Sequence, residues 1–273
     1  MFSLNLFYNN AYMEQERIQK ILSSLGVCSR RKAEQFILEG RVFVNGKQVS
    51  ELGFKCSTED EISIDGEIVN SHQEKSPVYL AFNKPYDVVS TLSDPQGRAT
   101  VLDYVSKKYG RVFPVGRLDH NSTGLMILTN DGEFANLVTH PSSAPEKEYL
   151  IKVKNKLRGD EVEKLAQGLY VYQDGYTALP CKAVVLKEED DGAIMSITLR
   201  QGKKRQIRHM METLDHPVRM LIRIRIGSIL LGDLKEGEVR EIPSEEIEKM
   251  IQQCLYDKSH NSFLKEDFAY DSD

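Results

Sequence analysis

A short polar stretch divides this chain of 273 residues into two parts of unequal length, and the division constrains its fold. The stretch runs from Asn70 to Pro77 and consists of Asn, Ser, His, Gln, Glu, Lys, Ser and Pro. Such a composition is typical of a linker between folded units. We therefore predict a small unit at 14–70, a linker at 71–77 and a larger unit at 78–253.

The two ends of the chain lack the patterns of a folded unit. Residues 1–13 have neither the basic segment nor the small-residue cleavage site of a secretory signal, so we expect a poorly ordered leader there. Residues 254–273 form an acidic tail, which we expect to be disordered at its end. No stretch approaches the ~20 apolar residues that a membrane-spanning helix needs, so no membrane partner is predicted.

Local patterns in the small unit predict two helices and a hairpin. A first helix is expected from about residue 14 to Gly26, because four apolar residues recur at helical spacing: Ile18, Ile21, Leu22 and Leu25. Ser29 is placed to cap a second helix over 30–38. The pair Asn45-Gly46 between two β-prone runs is a strong hairpin signal, and a further strand is expected at 60–64.

The larger unit shows strands and helices in irregular order. Strands are predicted at 78–82, 124–129, 147–153, 183–186 and 193–199, and helices at 101–108, 133–139, 159–165, 205–214 and 244–253. Because strands and helices do not alternate regularly, we predict an α+β fold rather than a parallel α/β fold.

Charge is distributed unevenly along the chain. Although the net charge is -5, residues 14–56 carry eight Lys and Arg against five Asp and Glu, and residues 200–225 carry eight against two. The excess acid lies mainly in 233–273, with twelve acidic and five basic residues. Two locally basic segments indicate phosphate binding, because the local field matters more than the total charge. Ordinary solvated surface charge remains the alternative.

The basic residues of the small unit indicate a nucleic-acid-binding module. They crowd a unit whose apolar residues are already committed to its core: Arg17, Lys20, Arg30, Arg31, Lys32, Arg41 and Lys47. The helix that begins at Ser29 combines free amide donors with three adjacent cations, which suits phosphate. This pattern, in the order Arg17-x-x-Lys20, Ser29-Arg30-Arg31-x-Ala33 and Gly40-x-Val42-x-Val44-Asn45-Gly46, resembles the S4-type RNA-binding domain. The resemblance covers roughly 14–70 and implies docking on structured RNA by shape and backbone.

A run from Gly116 to Gly132 carries the strongest chemical signal. It places the carboxylate of Asp119 in a glycine-rich turn just before the apolar strand Leu125–Leu128, which must be buried. An acid on such a rigid support is a candidate nucleophile or general base, although a lone Asp in a turn is more often a cap or turn former.

Four ordered motifs extend this signal into a family resemblance. Gly116-Arg117-Leu118-Asp119, with Thr123-Gly124-Leu125 and Leu128-Thr129-Asn130-Asp131-Gly132 after it, resembles the active-site motif of pseudouridine synthases of the RsuA/RluB type. The other three matches are Asn83-Lys84-Pro85 with Val88-Val89-Ser90-Thr91, Glu146-Lys147-Glu148-Tyr149-Leu150, and Gly202-Lys203-Lys204-Arg205-Gln206-Ile207-Arg208. The resemblance runs over roughly 14–250 and implies a mixed, mainly antiparallel-sheet catalytic domain.

The resemblance implies specific roles. Asp119 is expected to attack the nucleoside or to abstract a ribose proton, and the sequence leaves both routes open. Arg208 is expected to be its charge partner, and Tyr149 to stack on the flipped target base and assist proton removal at carbon 5. RNA contacts are expected from Lys84, Arg117, Lys203, Lys204 and Arg205. The reaction is a net isomerisation, so no cofactor or metal is predicted, in keeping with four widely spaced cysteines and six scattered histidines.

Three positions depart from the family pattern. Asp87 stands where glycine is usual, and Asp tolerates a positive φ better than most residues. Gln201 replaces a usual glutamate and His209 a usual arginine, which changes the charge beside the expected RNA path without removing a catalytic candidate.

Substrate and partners follow from the same resemblance. The run 92–101 is more similar to the large-subunit RluB branch than to the small-subunit RsuA branch, so a uridine of 23S ribosomal RNA is expected. We expect a monomer in the reducing cytoplasm. The alternatives are a synthase acting on small-subunit RNA, a non-catalytic ribosome-associated S4-type protein, and a methyltransferase, although the chain has no evident glycine-rich nucleotide loop for the last.

Overall fold

The computed structural model describes residues 15–69 and 76–260. The expected leader at 1–13, most of the expected linker at 71–77 and residues 261–273 of the tail lie outside these ranges. The chain divides into two compact units, one ending at Ser76 and the other beginning at Pro77.

The small unit packs two helices against short strands. Its elements are β1 (Glu16–Arg17), α1 (Ile18–Ser24), α2 (Arg30–Leu38), β2 (Val42–Val44), β3 (Lys47–Gln48), β4 (Lys55–Cys56), β5 (Ile62–Ile64) and β6 (Glu67–Ile68). Strands β3-β2-β5-β6 form an antiparallel sheet, and β1 pairs with β4. Its core is formed by apolar residues from both helices and from β2 and β5.

The predicted turns of the small unit are confirmed, whereas the start of its first helix is wrong. Ser29 Oγ accepts a hydrogen bond from the Lys32 N–H, and Asn45 and Gly46 have positive φ angles of 50° and 75°, as a tight hairpin requires. The first helix begins only at Ile18, because Glu16–Arg17 pairs with β4. Pairing between distant segments thus overrides the helical preference of these two residues.

The larger unit is built on one nine-stranded sheet. The strands are β7 (Tyr79–Lys84), β8 (Phe113–Val115), β9 (Thr123–Thr129), β10 (Lys147–Lys154), β13 (Lys182–Glu189), β14 (Gly192–Leu199), β15 (Val218–Ile226), β16 (Ile229–Leu230) and β17 (Val239–Glu241). Their order is β13-β14-β10-β15-β9-β7-β17, with β8 beside β9 and β16 beside β15. Among the strand pairs of this sheet in the described residues, β15–β9 is parallel and the others are antiparallel, so the predicted α+β class with a mainly antiparallel sheet is confirmed.

Helices cover both faces of this sheet. They are α3 (Gly132–Thr139), α4 (Gly159–Gln167), α5 (Gln206–Thr213) and α6 (Ser244–His260), and a separate hairpin consists of β11 (Leu169–Val171) and β12 (Tyr176–Ala178). Side chains of α4 and α5 contribute to the apolar cluster on one face, and those of α3 and α6 to the cluster on the other. In the described ranges, no helix combines the length and hydrophobicity of a bilayer span.

Two helix predictions are wrong in the larger unit. Residues 101–108 form two short 3₁₀ turns, Val101–Tyr104 and Lys107–Tyr109, because Val105 and Ser106 between them are extended. The last helix does not end at 253 but continues to His260, so residues 254–260 of the expected tail are helical. Cys254 is buried there, and Asp257 pairs with Arg200 at 3.0 Å, which holds the extra turns against the sheet.

Candidate active site

The loop between β8 and β9 holds Asp119 on a fixed backbone. Four consecutive carbonyl oxygens, those of residues 118–121, each accept a hydrogen bond. The donors are, in order, Ser90 Oγ at 2.6 Å, the Ser122 N–H at 3.1 Å, the Asp87 N–H at 2.8 Å and Arg208 Nη2 at 2.7 Å. The half-buried Asp119 carboxylate is thus presented by a loop whose backbone has little freedom.

Asp87 contributes to this loop through a left-handed backbone conformation. Its φ is 62°, so the position does need the positive φ that glycine usually provides. Because Asp is among the few residues that adopt this region readily, the departure from the family pattern leaves the turn intact.

One row of the sheet brings three of the expected motifs together. Backbone pairing aligns Lys84 of β7 with Gly124 of β9, Gly124 with Arg223 of β15, and Arg223 with Tyr149 of β10. Within this row, Gly124 lies five residues after Asp119. A Cβ on Gly124 would lie 2.3 Å from the Arg223 carbonyl oxygen, so only glycine permits this close approach of β9 and β15.

Lys84 is an internal clamp rather than an RNA contact. Its side chain is fully buried, and Nζ donates to the carbonyl oxygens of Pro85 and Val88, both at 2.8 Å. The expectation that Lys84 contacts RNA is therefore wrong, because β7 pairing turns the side chain into the protein. Burial lowers the pKa of Lys84 to about 8, and the nearby negative charges of Asp119 and Asp87 oppose that lowering.

Arg208 lies on α5 and is only 6% exposed. It donates to the carbonyl oxygens of Val218 (3.1 Å) and Asn121 (2.7 Å) and to Ser122 Oγ (3.2 Å). Among the residues that the structure describes, it makes no ion pair with Asp119. Burial lowers the pKa of Arg208, while the charge of Asp119 raises it, so the guanidinium is near enough to attract the carboxylate. The expected charge partner acts here mainly as a tether of the loop.

Tyr149 lies in β10 with 8% of its surface exposed, on the same sheet face as Ile151 and Val153. Leu118, the residue before Asp119, belongs to the same apolar cluster. The structure therefore places the ring of Tyr149 in the core that supports the Asp119 loop, where a flat apolar surface can be kept rigid.

Arg223 is a candidate functional residue that the sequence analysis missed. It is 3% exposed, its Nε donates to the Leu125 carbonyl oxygen at 2.7 Å, and within 15–69 and 76–260 its Nη2 has no hydrogen-bond partner. Its positive charge is one of the causes that lower the pKa of Lys84 and of Lys147. The signal was present in the alternation Leu221-Ile-Arg-Ile-Arg-Ile, which places Arg223 on the same strand face as the buried Leu221.

The basic segment before α5 remains at the surface. Lys203 and Lys204 are exposed and Arg205 is half-buried, with Lys203 Nζ lying 4.1 Å from the centre of the Tyr176 ring. Arg117, two residues before Asp119, is also exposed. These four side chains are therefore available to phosphates.

The two remaining departures from the family pattern form internal contacts. Gln201 Oε1 accepts from the Leu179 N–H (3.1 Å) and from Gln206 Nε2 (2.9 Å), which fixes the segment leading into α5. His209 Nδ1 lies 2.6 Å from Asp174 Oδ2 in the β11–β12 turn, so it joins α5 to that hairpin.

The expected RNA contacts of the small unit fall into two groups. Arg17, Arg30, Arg31, Lys32 and Lys47 are exposed, whereas the Ser29 hydroxyl is used as the helix cap. Lys20 pairs with Glu16, and Arg41 donates to Asp65 (2.5–3.1 Å) and to Glu39 (3.0 Å) above the ring of Phe36. Hydrogen bonds to Asp65 and then to Glu39 raise the pKa of Arg41. Lys20 and Arg41 therefore already form ion pairs with acidic side chains of the same unit.

In the described ranges, no group of three or more His, Cys, Asp and Glu side chains is arranged to hold a metal ion.

Comparisons with known proteins connect both units to RNA modification. The family model described as RNA pseudouridylate synthase matches residues 78–213, and the S4 domain model matches 16–62. The Bacillus subtilis protein named ribosomal large subunit pseudouridine synthase B is 39% identical over 250 residues, covering 91% of this chain and 100% of the relative.

Two further similarities agree with this. An Escherichia coli protein named dual-specificity RNA pseudouridine synthase RluF is 34% identical, over 85% of this chain and 77% of the relative. A solved structure described as a pseudouridylate synthase superposes with a TM-score of 0.63 at 28% identity, over 86% of this chain and 99% of that one.

Proposed function

The chain belongs to the RNA pseudouridylate synthase family and carries an S4 domain, and from this we propose that it isomerises a uridine of ribosomal RNA with Asp119 as the nucleophile. The observation that carries this proposal is the tethered loop, in which carbonyl oxygens 118–121 are all bonded and the Asp119 carboxylate is left half-buried. Preorganisation of this kind places a reacting group without further ordering cost.

The reaction needs one bond broken and one formed. The bond from the ribose anomeric carbon to N1 of uracil breaks, the base turns, and a bond forms from the same carbon to carbon 5, whose proton is lost while N1 gains one. Asp119 either attacks the anomeric carbon or removes a ribose proton, and both routes require it to be ionised. The positive charges of Arg208 and Lys84 both interact with the negative charge of Asp119, in a site that is partly shielded from water.

Tyr149 is proposed to contact the target base. The uracil must leave its stack to reach a half-buried carboxylate, and it then needs an aromatic surface to replace the lost stacking. Tyr149 lies in the sheet row that contains Gly124, five residues after Asp119. Its hydroxyl is proposed to assist proton removal at carbon 5.

The exposed cations are proposed to hold the RNA. Arg30, Arg31 and Lys47 of the S4 domain, with Arg117 and Lys203 of the catalytic unit, offer charges that bind phosphate without reading sequence. We propose ribosomal RNA of the large subunit as the substrate, on the strength of the name of the Bacillus subtilis relative. A monomeric enzyme acting in the cytoplasm completes this proposal.

The deciding experiment incubates the full chain with unmodified ribosomal RNA and maps pseudouridines chemically. We expect one or a few modified uridines with the wild type and at least a ~1000-fold loss of rate in Asp119→Asn, which keeps the shape and removes the charge. Asp190→Asn, which alters an exposed carboxylate in the β13–β14 turn, is the matched control and should react normally.

If the wild type modifies no RNA but still binds it, the non-catalytic S4-type alternative holds instead. Full activity of Asp119→Asn would remove the proposed nucleophile. Modification confined to small-subunit RNA would correct the substrate alone.

A further inference from the structure

A large aromatic side chain stands exposed beside the Asp119 loop and has no role in the chemistry described so far. Tyr86 is 63% exposed, although it lies between Pro85 and Asp87 in the turn that follows β7. A tyrosine ring left in water forgoes a large burial free energy. An exposed ring at a fixed position beside a reactive carboxylate is therefore a candidate for substrate contact.

The backbone on both sides of Tyr86 is tied to the catalytic unit. The Pro85 carbonyl oxygen accepts from the buried Lys84 Nζ at 2.8 Å, and the Asp87 N–H donates to the His120 carbonyl oxygen at 2.8 Å. His120 directly follows Asp119. Tyr86 is thus presented from a turn whose backbone is hydrogen-bonded to the catalytic loop.

Tyr86 and Asp119 also act on the same buried guanidinium, that of Arg208. The pKa of Arg208 is lowered chiefly by burial, and both Asp119 and Tyr86 act in the opposite direction. Arg117 is exposed on the segment that precedes Asp119. On the other side of Asp119, His120 accepts the hydrogen bond from Asp87, the residue that follows Tyr86.

We propose that Tyr86 stacks on an unpaired base next to the target uridine, and so holds the RNA open at the entrance to the site. A flipped uridine leaves its neighbours without a stacking partner on one side, and an aromatic side chain replaces that partner for any base. This inference rests on the proposed function and adds a substrate-contacting residue to it.

The test compares Tyr86→Ala and Tyr86→Phe in the full chain, using a synthetic RNA fragment that spans the mapped uridine. Loss of one base–aromatic stack corresponds to roughly a 5- to 150-fold change in affinity. We expect Tyr86→Ala to raise KM by about tenfold while kcat changes less than about twofold. Tyr86→Phe keeps the ring and should behave as wild type, which separates stacking from a role of the hydroxyl.

Tyr256→Ala provides the matched control, because Tyr256 is 62% exposed but lies on α6, whose buried residues pack in the other apolar cluster. This variant should retain wild-type kinetics. An equal rise of KM in Tyr256→Ala would show a general effect of lost surface aromatics and would overturn the proposal.

RNA fragments with an abasic nucleotide on one side of the uridine identify the stacked base. When the abasic nucleotide replaces the stacked base, KM of the wild type should rise. With that fragment, Tyr86→Ala should have the same KM as the wild type. If Tyr86→Ala matches wild type, if Tyr86→Phe is as impaired as Tyr86→Ala, or if neither abasic fragment removes the difference, the inference fails. A wild type that forms no pseudouridine would instead refute the proposed function itself.

Discussion

Three basic side chains of the S4 domain and three of the catalytic unit lie in contrasting environments. In the S4 domain, Arg30, Arg31 and Lys47 are exposed around a small apolar core. In the catalytic unit, Lys84, Arg208 and Arg223 are buried, and each donates to at least one backbone carbonyl oxygen. The same residue types therefore have different roles: exposed cations are available to phosphate, while buried ones hydrogen-bond to the backbone of the catalytic unit.

This contrast explains how a chain with net charge -5 handles RNA. Phosphate contacts need mobile, hydrated cations, whose effect falls with salt. Buried cations are screened much less and stay in one geometry, which suits catalysis. Changes to the two groups should accordingly alter different measurements, rate in one case and affinity in the other.

Among the variants that test this contrast, we expect the largest effect, a loss of rate, from Arg208→Lys, which changes a buried cation. Lysine carries the charge but cannot donate at once to the Val218 and Asn121 carbonyl oxygens and to Ser122 Oγ. A loop shifted by about 1 Å can cost roughly 100-fold in rate, so kcat should fall by about that factor. The dissociation constant for RNA should change less than about twofold.

Single-turnover kinetics and filter binding measure the two quantities separately. Arg219→Lys, at an arginine that pairs with Asp191 at the surface, is the control and should keep its rate. Equal turnover of Arg208→Lys and wild type would break the contrast, because the buried guanidinium would then have no geometric role.

How much of this arrangement the sequence predicted depends on the range of the interactions. The Asn45-Gly46 turn, the Ser29 cap and the Asp119 loop were predictable, because each is encoded within a few consecutive residues. Eight of the ten strands and helices predicted for the catalytic unit lie within three residues of their predicted bounds, whereas six of its strands were not predicted: β8, β11, β12, β15, β16 and β17. The roles that the family motifs imply for Tyr149 and Arg208 stay predictions, and the motifs did not indicate the contacts that Arg208 makes.

What could not be predicted comes from pairing across long separations. Strand β15 was missed because its alternating Arg residues were counted as a basic segment, yet it lies between β9 and β10 in the centre of the sheet. Arg223 was missed with it. Lys84 was expected to contact RNA, but its side chain is fully buried. It lies in a strand that pairs with Gly124, 40 positions along the chain, and local sequence does not reveal such a pairing.

A smaller effect, on affinity, is expected for the exposed cations. In the double variant Arg30→Ala, Arg31→Ala, two phosphate contacts are lost, so RNA affinity should fall by about tenfold and the salt dependence should weaken by about two counterions. The value of kcat at saturating RNA should not change. Titrations at several salt concentrations give both numbers.

Arg41→Ala is the informative control for this pair, because Arg41 belongs to the same domain but is already bound to Asp65 and Glu39. It should change RNA affinity less than about twofold. A loss as large as that of the double variant would show that paired cations also serve the RNA, and exposure would then no longer separate the two groups.

The smallest effect concerns pH and distinguishes a buried lysine from an exposed one. The pKa of Lys84 is lowered by burial from 10.5 to about 8. Between pH 8 and 10.5 the unfolded chain therefore holds a proton that the folded chain has lost, and the free energy of unfolding should rise with pH across this window. Below pH 8 both states are protonated at Lys84, and its contribution is flat.

Urea unfolding of the wild type and of Lys84→Met at several pH values measures this difference. The comparison is needed because burial also lowers the pKa of Lys147 to about 8, which adds a rise of the same sign in both proteins. The wild type should gain stability relative to Lys84→Met as the pH increases from 8 to 10.5. Lys47→Met, at an exposed lysine of the S4 domain, should leave the wild-type profile unchanged. Parallel profiles for wild type and Lys84→Met would mean that Lys84 titrates like a surface lysine, and that the buried cations of the catalytic unit are not electrostatically distinct from those of the S4 domain.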